Sequence, residues 1–387
     1  MKKTLVALAV LGSFAGVASA ATSVTLYGTV DGGYEDWQFK NGLKKHGIDQ
    51  PGGFLKNKLV QGGTSENNSK FGIKGQEDLG NGLAAIFTLE GNLGADVGET
   101  NAGQLFNRET TVGLKGSFGE VKIGRAKSQM ELALGGIVPG SRVADVDLYS
   151  VAATRHSNGL FYSYDNAGFS FGADVTTKGG ASGNYVAAVV DNPLTPEDET
   201  AAAKGEGSNG SKIGYGVRLG YAGQVGGNVT LLARAAYQND GTVVAVGADT
   251  VKSQEWGGLL AAVVPYANNA LTVGVAYAQG KGEAADLVAA KFGTDRVATK
   301  KARTLSAVIA STIGSNDSVY VKYQQRKGTT AGATDYNGNV WAAGYAHNLS
   351  KRTSVYADAA YATIKNHDAI TEKGKAIGYS VGVAHNF

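Results

Sequence analysis

The feature that most constrains this chain is alternation with a period of two. Ile213, Tyr215, Val217, Leu219 and Tyr221 alternate with Lys212, Gly214, Gly216, Arg218 and Gly220. Val229, Leu231, Ala233, Ala235 and Tyr237 alternate with Thr230, Leu232, Arg234, Ala236 and Gln238, and Val319, Val321 and Tyr323 with Tyr320, Lys322, Gln324 and Arg326. Successive side chains of a strand point to opposite faces, so each run is a strand with one apolar and one polar face. A soluble sandwich also alternates, but its strands average about 5–6 residues. These runs approach ten residues, the length a tilted strand needs to cross a bilayer. Their apolar faces mix Ala, Val and Tyr, which suits lipid bordered by aromatic girdles.

The first twenty residues read differently. Lys2 and Lys3 precede an apolar stretch, Leu5–Val17, and Ala18-Ser19-Ala20 supplies the small residues of a cleavage site. We expect residues 1–20 to be a cleaved secretory signal and residues 21–387 to form one barrel domain. Without Lys2 and Lys3, 34 basic side chains face 33 acidic ones, a net charge of +1, which is no nucleic-acid footprint. The chain has no cysteine, so disulfides and thiolate metal sites are excluded, and its five histidines are too scattered to suggest a ligand pair. No cofactor or metal is expected. Gly, at 57 residues, is about twice its usual frequency while Pro is only 5, a composition that favours closed β-structure over disorder.

The connections alternate in length. Short ones rich in Gly, Asn and Asp fall at 76–82, 116–119, 165–168, 222–228, 265–269, 314–317 and 348–352. Long ones fall near 38–66, 92–105, 126–154, 177–211, 239–253, 280–302, 327–337 and 364–375. Eight long loops and seven short turns predict a 16-stranded antiparallel transmembrane β-barrel with both termini on the short-turn side. An even strand count closes the sheet and removes its edges. The third long loop, 126–154, has 15 apolar residues in 29 positions, against 7 in the equally long loop 38–66. Met130, Leu132, Leu134, Ile137 and Val138 have no use in water, so this loop is expected to fold into the lumen.

Several stretches carry a family resemblance: SVTLYGTVDGG at 23–33, FGIKGQEDLGNGLAAIFTLE at 71–90, LFNRETTVGLKGSFGEVKIGR at 105–125 and NGLFYSYDNAGFSFG at 158–172. GYAHNLSKRTSVYADAAY at 344–361 and GYSVGVAHNF at 378–387 complete the series. In this order they resemble the general porins of Gram-negative bacteria, in particular the proteobacterial porins that begin SVTLYG. The resemblance implies an outer-membrane homotrimer of sixteen-stranded barrels, short turns on the periplasmic side, and the third loop inside as an eyelet. It also implies passive diffusion of ions and small hydrophilic solutes.

The family's eyelet sets wall cations against loop acids. Carried over, the cations are Lys70, Arg108 and Arg155, and the acids are Asp145, Asp147 and Glu131. Alternation places Lys70 with Gly72 and Lys74, and Arg155 with Ser157 and Gly159. Arg108 falls in phase with Val112 and Leu114, so a bulge or a non-lipid outer face is required there. Three wall charges together with Lys127 and Arg142 outweigh the three loop acids, which predicts weak anion preference. Tyr379, Val381, Val383, His385 and Phe387 share one face, and the terminal Phe387 looks like the signal read by the barrel-assembly machinery. Surface acids Asp191, Glu197, Asp198 and Glu199 lie in a long loop and are expected to matter little.

Gly168-Phe169-Ser170-Phe171-Gly172 matches a hydrolase nucleophile pattern. That pattern needs a strand, a sharp turn at the serine and a helix, whereas here a hairpin turn precedes a continuing strand. A barrel enzyme would need a histidine with an acid near the rim, with His156 or His367 as candidates. A surface barrel with a blocked lumen is the third reading, opposed by the Gly, Ser, Lys and Arg expected on the lumen face. The sequence therefore favours a channel and not an enzyme.

Overall fold

In a computed structural model the chain is a closed β-barrel. The structure describes residues 22–40, 58–61, 69–95, 99–100, 105–135, 153–177, 213–226, 228–246, 249–284, 297–330, 335–365 and 374–387. Sixteen antiparallel strands form the wall. They are β1 (Ser23–Lys40), β2 (Lys70–Gly80), β3 (Leu83–Gly94), β4 (Glu109–Gly116), β5 (Gly119–Lys127), β6 (Arg155–Asn166), β7 (Phe169–Thr176) and β8 (Gly214–Val225). There follow β9 (Val229–Val246), β10 (Asp249–Tyr266), β11 (Asn269–Ala284), β12 (Val297–Ile313), β13 (Asp317–Thr330), β14 (Asp335–Asn348), β15 (Thr353–Lys365) and β16 (Gly374–Asn386). Two short pieces, Lys58–Gln61 and Glu99–Thr100, add to β1 and β3.

Each strand pairs with its sequence neighbour, and β1 closes the ring on β16 with Thr29 opposite Asn386 through Lys40 opposite Lys375. The chain end completes the seam. The Gly28 amide donates to the Phe387 carbonyl at 3.2 Å, and the Phe387 amide returns a bond to the Gly28 carbonyl at 3.1 Å. With every strand paired on both sides, the polar backbone is satisfied within the wall, the condition for crossing lipid.

The short connections that the described residues cover in full are tight turns. At Asn81-Gly82 both residues have positive φ, 54° and 75°, the backbone of a type I′ hairpin whose twist matches the strands it joins. The expected loop at 239–253 is different from the sequence reading: β9 runs to Val246 and β10 starts at Asp249, with a register shift between Asn239 and Val243. Several strands on this side reach 16–18 residues, longer than a bilayer demands. The extra length extends the wall on the long-loop side.

Leu26, Leu219, Ile309, Val321, Trp341 and Val381 are exposed on the outer face, and ring pairs such as Phe169–Tyr221 at 4.9 Å and Tyr323–Trp341 at 4.6 Å decorate it. On the inner face the structure corrects an expectation. Besides polar residues, it presents many alanines, among them Ala236, Ala261, Ala276, Ala278, Ala310, Ala342, Ala360, Ala362 and Ala376, all buried. Alanine is small enough to leave room for what lies inside.

Candidate functional site

What lies inside is a helix. After β5 the third loop turns inward and forms α1 (Gln129–Leu134). Ser128 caps it: its hydroxyl oxygen accepts from the Glu131 amide at 3.3 Å and its hydroxyl donates to the Ala153 carbonyl at 2.7 Å. Met130, Ala133 and Leu134 are fully buried and belong to one cluster with Ala236, Leu259 and Ala261 of the wall. The remainder of the loop, including the expected acids Asp145 and Asp147, lies outside the described residues.

Cations meet the helix from below. Arg218 of β8 donates to the Gln129 side-chain oxygen at 3.4 Å and to the Ser170 hydroxyl at 3.0 Å. Arg234 of β9 donates to the carbonyls of Leu132 and Gly135, both at 3.3 Å, at the C-terminal end of α1, where a positive charge is favourable. Gly172 and Gly220 sit opposite these arginines in register and leave the space free.

Two of the expected cations, Lys70 and Arg108, meet elsewhere on the wall. Arg108 is almost fully buried. Its Nε donates to Glu90 Oε1 at 2.5 Å and its Nη1 to Asn92 Oδ1 at 2.9 Å. Lys70 Nζ lies 3.9 Å from Glu90 Oε2, which also accepts from the Tyr27 hydroxyl at 3.1 Å. Glu90 thus gathers Lys70 and Arg108 into one network. The phase conflict at Arg108 resolves without an outer polar face: regular pairing starts at Glu109 opposite Glu90, so Arg108 precedes the strand and its side chain turns into the lumen. One step down the wall, Lys122 bridges Glu109 and Glu120, each at 3.1 Å. Glu131 is buried in the first turn of α1, with Lys127 at 3.4 Å.

Arg155 falls on the phase opposite the one alternation gave it. Asn158 has φ 51°, and the register passes from Gly159 opposite Gly124 to His156 opposite Ala126, three residues against two. The bulge brings His156 to the lumen face that Gly159 and Phe161 occupy. There Nδ1 stands 2.5 Å from Asp174 of β7 and Nε2 3.3 Å from Asp240 of β9. Both ring nitrogens thus face carboxylates, and the ring has no exposed surface. Ser170 of the hydrolase-like motif sits on a strand, following a turn with positive φ at Ala167 and Gly168, so the strand-turn-helix context is not formed. His367 and the acids at 191–199 lie outside the described residues. Phe387 projects from the outer face beside Gly28.

The model of the family described as Gram-negative porin matches residues 7–368. This chain belongs to the Gram-negative porin family. It is 31% identical to an outer membrane porin protein of Bordetella pertussis over the full length of both chains. It is 30% identical to outer membrane porin protein 32 of Delftia acidovorans, covering 99% of this chain and 95% of that one. Among solved structures it shares the fold of the anion-selective porin from Comamonas acidovorans (TM-score 0.61, 23% identity, 95% of this chain and 100% of that one). It also shares the fold of the trimer form of OmpT from Vibrio cholerae (TM-score 0.52, 14% identity, 95% and 100%). The protein is an outer-membrane porin, a channel for passive diffusion. Glu90, Arg218 and Arg234 are lumen residues that the sequence did not single out, and His156 stood there only as a candidate for a barrel enzyme. Arg218 and Arg234 stood on the polar side of their strands, but nothing in the sequence told which polar residues lie under the loop.

Proposed function

We propose that this porin passes ions and small hydrophilic solutes with a weak preference for anions. The observation that carries the reading is where unshared positive charge lies. Lys70 and Arg108 share Glu90, so together the three contribute +1. Arg218 and Arg234 hydrogen-bond to neutral oxygens beneath α1 and add +2, against −1 from Lys122 with Glu109 and Glu120. Charged side chains lining a pore set the sign of its preference, and within a screening length of about 8 Å only those close to the path count. The description of the Comamonas protein as anion-selective points the same way. Glu131, Asp145 and Asp147 remain candidate constriction residues in this reading.

We also propose that the porin works as a homotrimer, that residues 1–20 are removed on export, and that the assembly machinery reads Phe387. The trimer rests on the family and on the trimeric OmpT form. The test of selectivity is the zero-current potential in a KCl gradient. Wild type should favour chloride, and Arg234→Glu should move the potential toward potassium. A cation-selective wild type, or an unmoved Arg234→Glu, refutes the assignment. A mass in mild detergent equal to one subunit, with conductance intact, refutes the trimer.

A further inference from the structure

The inner end of the third loop is held by a buried network whose hydrogen bonds can be counted. The side chain of Gln238 on β9 donates from Nε2 to the Ala153 carbonyl at 2.9 Å and to Asp240 Oδ1 at 2.5 Å. Its carbonyl oxygen accepts from the Met130 amide of α1 at 3.2 Å. Asp240 Oδ2 accepts from the Ala153 amide at 3.1 Å and from the Ser253 hydroxyl at 2.9 Å. The Ser128 amide and hydroxyl bond to Thr154 and Ala153. Both ends of the loop, at 128–130 and 153–154, are therefore fastened to one patch of wall.

At the centre of that patch is His156, with no exposed surface. Gln238 Nε2 has only two hydrogens, and both are committed to Ala153 and Asp240, so it has none for the His156 ring 3.3 Å away. His156 Nε2 must itself be an N–H directed at Asp240 Oδ1. On the other side, the second oxygen of Asp174 is buried without a hydrogen-bond partner among the described residues, so His156 Nδ1 is the donor on which this carboxylate depends. Both ring nitrogens donate only in the imidazolium form. The charged groups around the ring are Asp174 from β7 and Asp240 from β9. Beyond these lie Glu255 of β10, the register partner of Gln238, the adjacent Arg155, and Glu131 of α1, which is turned to Lys127.

We propose that His156 is the residue that positions the constriction helix, as a buried imidazolium clamped between Asp174 and Asp240. The ring neutralises one of two carboxylates that otherwise face each other across a water-poor gap. It thereby holds β7 and β9 at the spacing that lets Gln238 reach α1. Unpaired buried charge is expensive, and breaking such a group by removing one member leaves the rest uncompensated. The charge of the ring, not its volume, does the positioning.

His156→Gln removes the positive charge and leaves two carboxylates. His156→Gln combined with Asp174→Asn restores the original net charge of the triad, while the introduced glutamine amide retains an N–H for Asp240. Single-channel recordings should show a several-fold rise in open-channel current variance, with added sublevels, for the single variant, and a return toward wild type in the double variant. A quiet single variant, or a double variant as noisy as the single, overturns the proposal. Conductance in all three proteins tests the channel reading independently. Should His156→Gln fail to fold, ring-nitrogen NMR of histidine-labelled wild type decides. One histidine should stay doubly protonated at about pH 8, where free imidazole is mostly neutral, and five neutral rings would overturn it.

Discussion

Glu90 links Lys70, Arg108 and Tyr27, so replacing it with Gln is the most informative perturbation of the wall. The local charge rises from +1 to +2, while the amide oxygen of Gln can still accept from Arg108. An anion passing about 6 Å from one added unit charge gains about 0.7 kcal/mol in a water-like dielectric. Salt screening with a length of about 8 Å reduces this to about 0.3 kcal/mol, and a less polar lumen raises it to about 1 kcal/mol. The chloride occupancy of the constriction should then rise by about two- to fivefold, with potassium falling in proportion. The zero-current potential in a KCl gradient should move further toward chloride. Stability moves the opposite way. Arg108 is nearly fully buried, and stripping the charge from one member of a buried pair costs about 3–5 kcal/mol, less where a hydrogen bond survives. A lower denaturation midpoint in guanidinium should therefore accompany the greater selectivity. A Glu90→Gln porin with unchanged or more cationic selectivity would refute the placement of Lys70 and Arg108 at the ion path.

Leu134→Asp puts a charge among the alanines of β9 and β10 at a cost of several kcal/mol, enough to unseat α1; single-channel conductance should increase, and an unchanged value would show that the helix does not narrow the pore. Ala167→Asn should raise the denaturation midpoint by an amount equivalent to about 1 kcal/mol, because Ala167 sits at φ 49° before Gly168 at φ 84° and Asn tolerates the left-handed region better. Phe387→Ser should lower the yield of membrane-inserted barrel much more than it alters the conductance of the protein that does insert, and equal yields would remove the assembly role from this residue.

The wall was legible because a strand reports its faces at every second residue. The outward set Tyr215, Val217, Leu219 and Tyr221 is where alternation put it. Loop lengths gave the strand count for a similar reason: Gly- and Asn-rich turns are local chemistry. The inner face was harder to read. Alanine is equally at home against lipid and beneath α1, and hydropathy does not distinguish the two, so the alanine-lined seat of the helix passed unnoticed.

The individual site residues were lost where the count of two breaks. From the turn at Asn81-Gly82, a hairpin without irregularity would set Glu90 opposite Ile73. The register shift between Asp78 and Gly80 moves it opposite Gly72, between Lys70 and Lys74 on the polar face, where it gathers the wall cations. At Asn158 one extra residue exchanges Arg155 for His156 on the lumen face, and at Arg108 the strand has not yet begun. A bulge leaves little trace in composition, yet it reverses the face of every residue beyond it. The charges of this pore are thus set by three local departures from regular pairing. An electrostatic argument drawn from alternation alone gives the sign of the lumen as a whole. It does not reveal which carboxylate shares which cation, and selectivity depends on that sharing.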